Sequence, residues 1–417
     1  MTTSETIENP PDNAPPGDEF YDPPELGTDG RRGDPIYQRP LPSDHPAALA
    51  DGRNWLVLYR SQDAAGQAVA TSGIIVLPKT APPAGGFPVV SWAHGTVGVA
   101  DGCAPSRDTP GSQAHPMNRY PHTLLNEFLR RGWAVVMTDY EGLGVTDRRH
   151  PYLLGASEAA GVLDIVRTAR HLFGERVSNL FAIVGHSQGG QAALFAAAHA
   201  PAWTEEFNPE LIMVAVAAIA PANHLLGVVR AGSLVNVASE GFAFTPLLLC
   251  GAMAGAAAEN KTIDPRQVLS DVAYPKYWDQ VDERCRAGLS LSDSWGGLRG
   301  NQQFRGTYFA LPNAHQQRFN DQVRAMNPDV VLTVPARISQ AADDDRVRAY
   351  HPPPNDELNG TDTLVEELRE INGESAVEYQ RYPAGYVTPD PELGVHFATI
   401  NYDLPVLINW LHPFLNP

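Results

Sequence analysis

Five residues constrain the fold of this chain more than any others: Gly185-His186-Ser187-Gln188-Gly189. The apolar run Leu180–Val184 precedes them and the alanine-rich stretch Gln191–Ala200 follows, so the pentapeptide sits where a strand turns directly into a helix. A turn this sharp admits only small residues two positions either side of its central serine. It also aims the helix's first N–H groups and positive dipole end at the serine hydroxyl. Gly-x-Ser-x-Gly alone recurs by chance; this strand–turn–helix setting in mid-chain reads as a nucleophile rather than a structural turn serine.

The flanking sequence fits the same frame. Short apolar runs recur at Pro88–Trp92, Trp133–Thr138, Leu211–Ile219, Ala336–Gln340 and Val377–Tyr382, with helical stretches such as His122–Arg131 and Ser157–Leu172 between several of them. Strands alternating with helices imply an α/β fold, a mostly parallel central sheet with helices on both faces. Asn54–Ser61 and Ala68–Leu77, around a turn near Gly66, read as paired strands ahead of it. A late helix, Thr363–Ile371, is expected to open with a Thr363-x-x-Glu366 capping box and close at Gly373. The alternation breaks between about Pro221 and Asn327, where Pro246–Glu259, Asp264–Val272 and Ala314–Val323 look helical, so an inserted helical cap is expected. Its stretch Phe242–Ala258 either packs the cap or lines an apolar pocket. The chain then divides into an extended Pro- and acid-rich arm (1–48), mobile at least to Asp18 and pinned later by Phe20, Tyr21 and Tyr37. An α/β core segment (49–221), the cap (222–327) and a second core segment that completes the sheet (328–417) follow.

Composition narrows the function. With 30 basic against 48 acidic side chains the formal charge is −18, which repels phosphate and disfavours nucleic acid or an anionic membrane as partner. Phe242–Ala258, broken by Thr245 and Pro246, is too short to span a bilayer, so no integral membrane insertion is expected. The N-terminus shows no basic-then-apolar signal, which makes the cytoplasm the default compartment. Three cysteines, Cys103, Cys250 and Cys285, form no CxxC pair, and HExxH, P-loop and GxGxxG patterns are missing. No metal and no cofactor is expected.

A serine hydroxyl needs a base oriented by an acid. In an α/β hydrolase these follow the serine in the order acid, then histidine. His396 lies after the last strand in a Gly394-Val395-His396-Phe397 loop and is the expected base; His199 sits on the elbow's own helix, and His224 and His315 fall in the cap. The acid comes from Asp343-Asp344-Asp345 after the strand Ala336–Gln340, where Asp344 fits the G-x-x-D-x-x-V spacing and its two neighbours are the alternatives. The oxyanion donors are expected to be the backbone N–H of Gln188 and, from the loop Ala93-His94-Gly95-Thr96-Val97-Gly98, that of Thr96, with Val97 next. His94 reads as a loop-ordering residue, and Asp139-Tyr140-Glu141-Gly142-Leu143-Gly144 as shaping the site's rim.

Phe20-Tyr21-Asp22-Pro23-Pro24, Val57-Leu58-Tyr59-Arg60-Ser61, Trp92-Ala93-His94-Gly95-Thr96, Gly102-Cys103-Ala104-Pro105-Ser106, Asp139 to Gly144, His150-Pro151-Tyr152-Leu153 and Gly185 to Gly190 span most of the chain. Together they resemble the secretory lipase family, the bacterial relatives of Candida antarctica lipase A. The resemblance implies an α/β-hydrolase core with a helical cap and a Ser187–Asp344–His396 triad. It further implies hydrolysis of small-molecule carboxylic esters and an apolar acyl channel under the cap. It also implies a Cys103–Cys285 bridge with Cys250 free, and a secreted protein as the alternative to a cytoplasmic one, since such a bridge does not persist in a reducing cytosol. An acyltransferase, or a lactonase or amidase, would use the same triad; a non-catalytic hydrolase-fold binding protein is a different class. Oligomeric state is not legible.

Overall fold

A computed structural model describes residues 10–207, 210–351 and 358–416. Its strands are β1 Pro35–Leu41, β2 Gly52–Gln62, β3 Ala68–Pro78, β4 Phe87–Ala93, β5 Ala134–Thr138, β6 Val177–His186, β7 Ile212–Ile219, β8 Ala336–Ala341 and β9 Val377–Tyr382. They form one nine-stranded sheet in the order β1-β2-β3-β5-β4-β6-β7-β8-β9. The first three pair antiparallel and β3 pairs antiparallel with β5; from β5 across to β9 every pairing is parallel.

The helices are α1 His115–Arg119, α2 His122–Arg130, α3 Gly155–Phe173, α4 Gln188–Phe207, α5 Leu225–Gly232, α6 Phe244–Ala258, α7 Pro265–Val268, α8 Ala273–Gln280, α9 Arg286–Leu289, α10 Ala314–Ala325, α11 Thr361–Asn372 and α12 Gly394–Leu415. Side chains alternate across a strand, and here both faces are dry. Val90 and Trp92 of β4 join α2 and α12 in one apolar cluster, while Val89 and Ala93 join α3, α4 and α11 in another. Burial on both sides is why β4 and β5 read as near-continuous apolar runs, interrupted only by Ser91 and closed by Thr138, instead of alternating ones. The fold is that of an α/β hydrolase.

The segment between β7 and β8 carries α5 to α10 and has its own core, including Leu247, Leu248, Tyr277, Trp295, Phe304 and Phe319. Here one sequence expectation is corrected. With the turn before it, α6 extends a run from Glu240 to Ala258, 19 residues of mean hydropathy 1.6, which is long and apolar enough to cross a membrane by length and composition. Most of that run is buried inside the protein, as the central helix of the insertion.

Two further expectations change. A stretch of the supposed arm is sheet: β1 pairs with β2, and Asn13 and Gln38 exchange hydrogen bonds of 3.2 and 2.9 Å. Phe20 and Tyr21 are buried against each other, and Phe20 lies against Tyr37. Pro35 and Pro40 are tolerated because β1 is an edge strand, where a missing donor faces away from the ladder. The capping box expected at Thr363 and Glu366 does not exist: α11 starts two residues earlier, at Thr361 after an N-cap glycine, Gly360, and these two side chains ride inside it.

Candidate active site

β6 ends at His186 and α4 begins at Gln188, so Ser187 alone makes the turn, at φ 59°. A non-glycine residue there is strained by about 1–3 kcal/mol, and the surroundings hold it. Ser187 N donates to Ile219 O at 2.9 Å, and Ser187 O accepts from Ala222 N at 3.0 Å. The flanking glycines are obligatory: a Cβ on Gly185 would lie 1.9 Å from Gly189 O, and one on Gly189 would lie 1.9 Å from Ala93 O. Ser187 is half-exposed although its neighbours in the motif are buried.

The expected acid and base come together. Asp344, fully buried in the turn after β8, lies 2.9 and 3.1 Å from His396 Nδ1 through its two oxygens. A carboxylate only accepts, so Nδ1 carries the hydrogen and Nε2 is left as the basic atom. Asp344 is itself oriented: Oδ1 accepts from Arg346 N at 2.8 Å and Val347 N at 2.9 Å, and Oδ2 from Gln340 Nε2 at 3.2 Å. Its neighbours do other work. Asp343 accepts from Gly385 N at 2.8 Å, and Asp345 accepts from the backbone N–H of His396 at 3.0 Å. His396 is in the first turn of α12, not in a loop as the sequence suggested. Its carbonyl accepts from His186 Nε2 at 3.1 Å, and the two rings lie 4.4 Å apart, so the base is fastened to the strand that presents Ser187. Other histidines are engaged elsewhere: His224 pairs with Glu367 at 3.0 Å, and His315 accepts from Asp264 N at 3.1 Å.

The loop after β4 lies against the elbow. A Cβ on Gly95 would be 3.4 Å from Ser187 Cβ and 3.3 Å from His186 O, so the loop packs closely on the elbow and a side chain there would press on its neighbours by a few tenths of an ångström. Beside it, Thr96 Oγ1 meets Tyr152 OH at 2.8 Å, and Val97 O accepts from Arg286 N at 2.7 Å. Gln188 N–H heads α4, where the first helical donors have no acceptor within the helix. His94 is buried and its pKa is pushed down to about 4 by burial, which leaves it neutral. With Nδ1 donating to Gly95 O at 2.8 Å, it orders the loop. Cys103 and Cys285 are disulfide-bonded, and Cys250 is free and buried.

Tyr140 and Glu141 are turned inward and do not line the rim. Tyr140 OH donates to His94 O at 2.9 Å, and Glu141 accepts from Ser157 Oγ. Sequence reasoning passed over two residues here, His150 and Glu158, both fully buried. Gln188 Nε2 lies 2.6 Å from Glu158 Oε1 and 2.9 Å from His150 Nε2. Burial raises the Glu158 carboxyl to about 8. Nothing local marks either residue, because Glu158 reads as one more helix former and His150 as a member of a loop motif. Among the described residues, no cluster of His, Cys, Asp or Glu could hold a metal ion.

Comparison with known proteins bears on the fold and on the kind of enzyme. The secretory lipase family model matches residues 115–262. No curated protein matches the chain. The rice cell wall degrading esterase LipA from Xanthomonas oryzae superposes with a TM-score of 0.67 at 19% identity, covering 93% of this chain and 99% of that one. Candida antarctica lipase A gives 0.65 at 19% identity, covering 90% and 83%. A putative hydrolase from Legionella pneumophila gives 0.63 at 16% identity, covering 88% and 89%. At these identities the structures speak for the shared fold, and the family match speaks for the kind of enzyme. With that match over residues 115–262 set on an α/β-hydrolase sheet, the chain resembles the secretory lipases and is a carboxylic ester hydrolase.

Proposed function

We propose that the chain cleaves small-molecule carboxylic esters through an acyl-enzyme on Ser187, with His396 as general base, Asp344 as its orienting acid, and the N–H groups of Gln188 and Thr96 as oxyanion donors. The observation that carries this reading is the His396–Asp344 pair, hydrogen-bonded at 2.9 Å and tied through His186 to the strand that ends at Ser187. His396 Nε2 takes the Ser187 proton as Oγ attacks the ester carbonyl. The oxyanion is held until the carbonyl re-forms, and the imidazolium returns the proton to the departing alcohol. Water deprotonated by the same nitrogen then releases the acid and restores Ser187. Asp344 stabilises the imidazolium without taking its proton.

The Cys103–Cys285 bridge and the family's secretory character support the secreted alternative over the cytoplasmic one, because cytosolic reductants keep such thiols open. The direct test is a fluorophosphonate label together with hydrolysis of p-nitrophenyl esters from short to long acyl chains. Wild type should label at Ser187 and turn over. Ser187→Ala should do neither, and turnover by a folded Ser187→Ala would remove the acyl-enzyme reading.

A further inference from the structure

The motif His150-Pro151-Tyr152-Leu153 and the buried acid Glu158 have no role in the acyl transfer just described, yet their side chains bond toward it. We propose that segment 150–158 is the brace of the oxyanion site, with His150 and Glu158 fixing Gln188 and Tyr152 fixing Thr96. This rests on the reading that these two residues supply the oxyanion donors.

The hydrogen bonding at Gln188 is fully assigned by its partners. His150 Nδ1 lies 2.9 Å from Glu141 O, a carbonyl that can only accept, so Nδ1 carries the hydrogen and Nε2 presents a lone pair. Burial keeps this ring neutral, its pKa pushed down to about 3. The Gln188 amide therefore gives one hydrogen to His150 Nε2 and the other to Glu158 Oε1. Glu158 Oε1 also accepts from Leu153 N at 2.9 Å, which closes the carboxyl back onto its own segment. One turn along α4, Gln191 Nε2 donates to Leu153 O at 3.0 Å. The head of the nucleophile's helix is thus held by three side-chain bonds to one short stretch of chain. The same stretch reaches the other donor loop through Tyr152 OH and Thr96 Oγ1, 2.8 Å apart.

The cost of the arrangement argues that position matters. Glu158 is fully buried, and among the described residues its Oε2 has no hydrogen-bond partner and no cation neutralises it. An apolar side chain would fill the same volume at less cost to folding. Packing reinforces the brace: a Cβ on Gly251 of α6 would lie 1.9 Å from Tyr152 O, so the central helix of the insertion is pressed against it.

Gln188→Ala keeps the backbone N–H and removes its anchor, and Tyr152→Phe deletes a single oxygen with little risk to folding. Both are assayed with active sites titrated by a fluorophosphonate, for kcat and KM on p-nitrophenyl butyrate and for inhibition by a trifluoromethyl ketone, whose adduct with Ser187 is an oxyanion. Each should lower kcat about 10-fold, less than outright loss of a donor, with KM nearly unchanged and ketone affinity weakened by the same factor. If Tyr152→Phe or Gln188→Ala lowers Tm while kcat per titrated site and ketone affinity stay at wild type, the segment is mere packing and the proposal is overturned. Activity surviving in Ser187→Ala would instead overturn the underlying mechanism, so the two failures are told apart.

Discussion

Ser187 shows what one backbone angle demands of its neighbours. At φ 59° it stands proud of the sheet only because Gly185 and Gly189 leave room for the chain to double back. Gly189→Ala should therefore fail to give folded protein, or lose several kcal/mol in urea unfolding, since its methyl would meet the backbone of Ala93 and not a side chain that can yield. Asp344 is the second residue with a sharp forecast. Asp344→Asn keeps the shape but lets His396 take the wrong tautomer, so kcat should drop by about 10⁴-fold with little change in KM. Glu158 carries a different signature. Its carboxyl titrates near 8 in the folded protein against 4.5 as an ordinary glutamate, so the folded state holds the proton more tightly than the unfolded chain. Its stabilising contribution is full below about pH 4.5, falls as pH rises, and is gone above about 8, a difference of a few kcal/mol. Glu158→Gln should flatten that decline in urea unfolding measured from pH 5 to 9. Of these residues, Ser187 was legible because its motif is local. Glu158 and His150 were not, because their meaning lies in contacts with Gln188, 30 and 38 positions away.

Among the elements, β8 leads into the turn of the proposed acid and α12 carries the proposed base, and a buried ion pair locks them together. Arg337 of β8 makes two 2.7 Å bonds to Asp403 of α12, and Tyr382 of β9 adds a third at 2.5 Å. Asp403→Ala leaves the buried guanidinium with only the half-exposed Glu378, 3.5 Å from its Nε, and should cost about 3 kcal/mol, read as a lower urea midpoint. Because the pair sets the pitch of α12 beneath His396, kcat should fall before unfolding begins. The sequence exposed most of these elements because a parallel strand covered on both faces is a continuous apolar run. It concealed β1, whose prolines suit an edge but resemble a linker. It placed the head of α11 at the wrong threonine, since a Gly360 cap offers no side chain to recognise. It put His396 in a loop for a related reason: Gly394, at φ 77°, looks like a break but is the first residue of α12.

Across the whole molecule, the Cys103–Cys285 disulfide joins positions 182 residues apart and closes nearly half the chain into one loop. Chain entropy alone values such a link at about 5 kcal/mol, with strain and residual structure lowering the figure. Reduction under native conditions should lower Tm substantially, and activity with it, since the same strand-like contact between Gly98 and Cys285 supports the loop that bears Thr96. Comparing Tm and kcat with and without a thiol reductant, against a Cys250→Ser control, checks both effects.

That contact also limits how the helical insertion can move. The helical insertion has its two ends tied to each other, where His224 N donates to Asn327 Oδ1 at 3.0 Å, and is fastened midway to the core segment through Cys285 and Cys103. A body so fastened does not swing like a door. Its most exposed stretch runs from α5 to Val237, where α5 buries none of its residues and Leu234 and Val237 face outward, yet Gly300 N donates to Val237 O at 3.1 Å and Asn301 N to Val235 O at 3.0 Å, so this stretch too is stitched to the rest of the insertion.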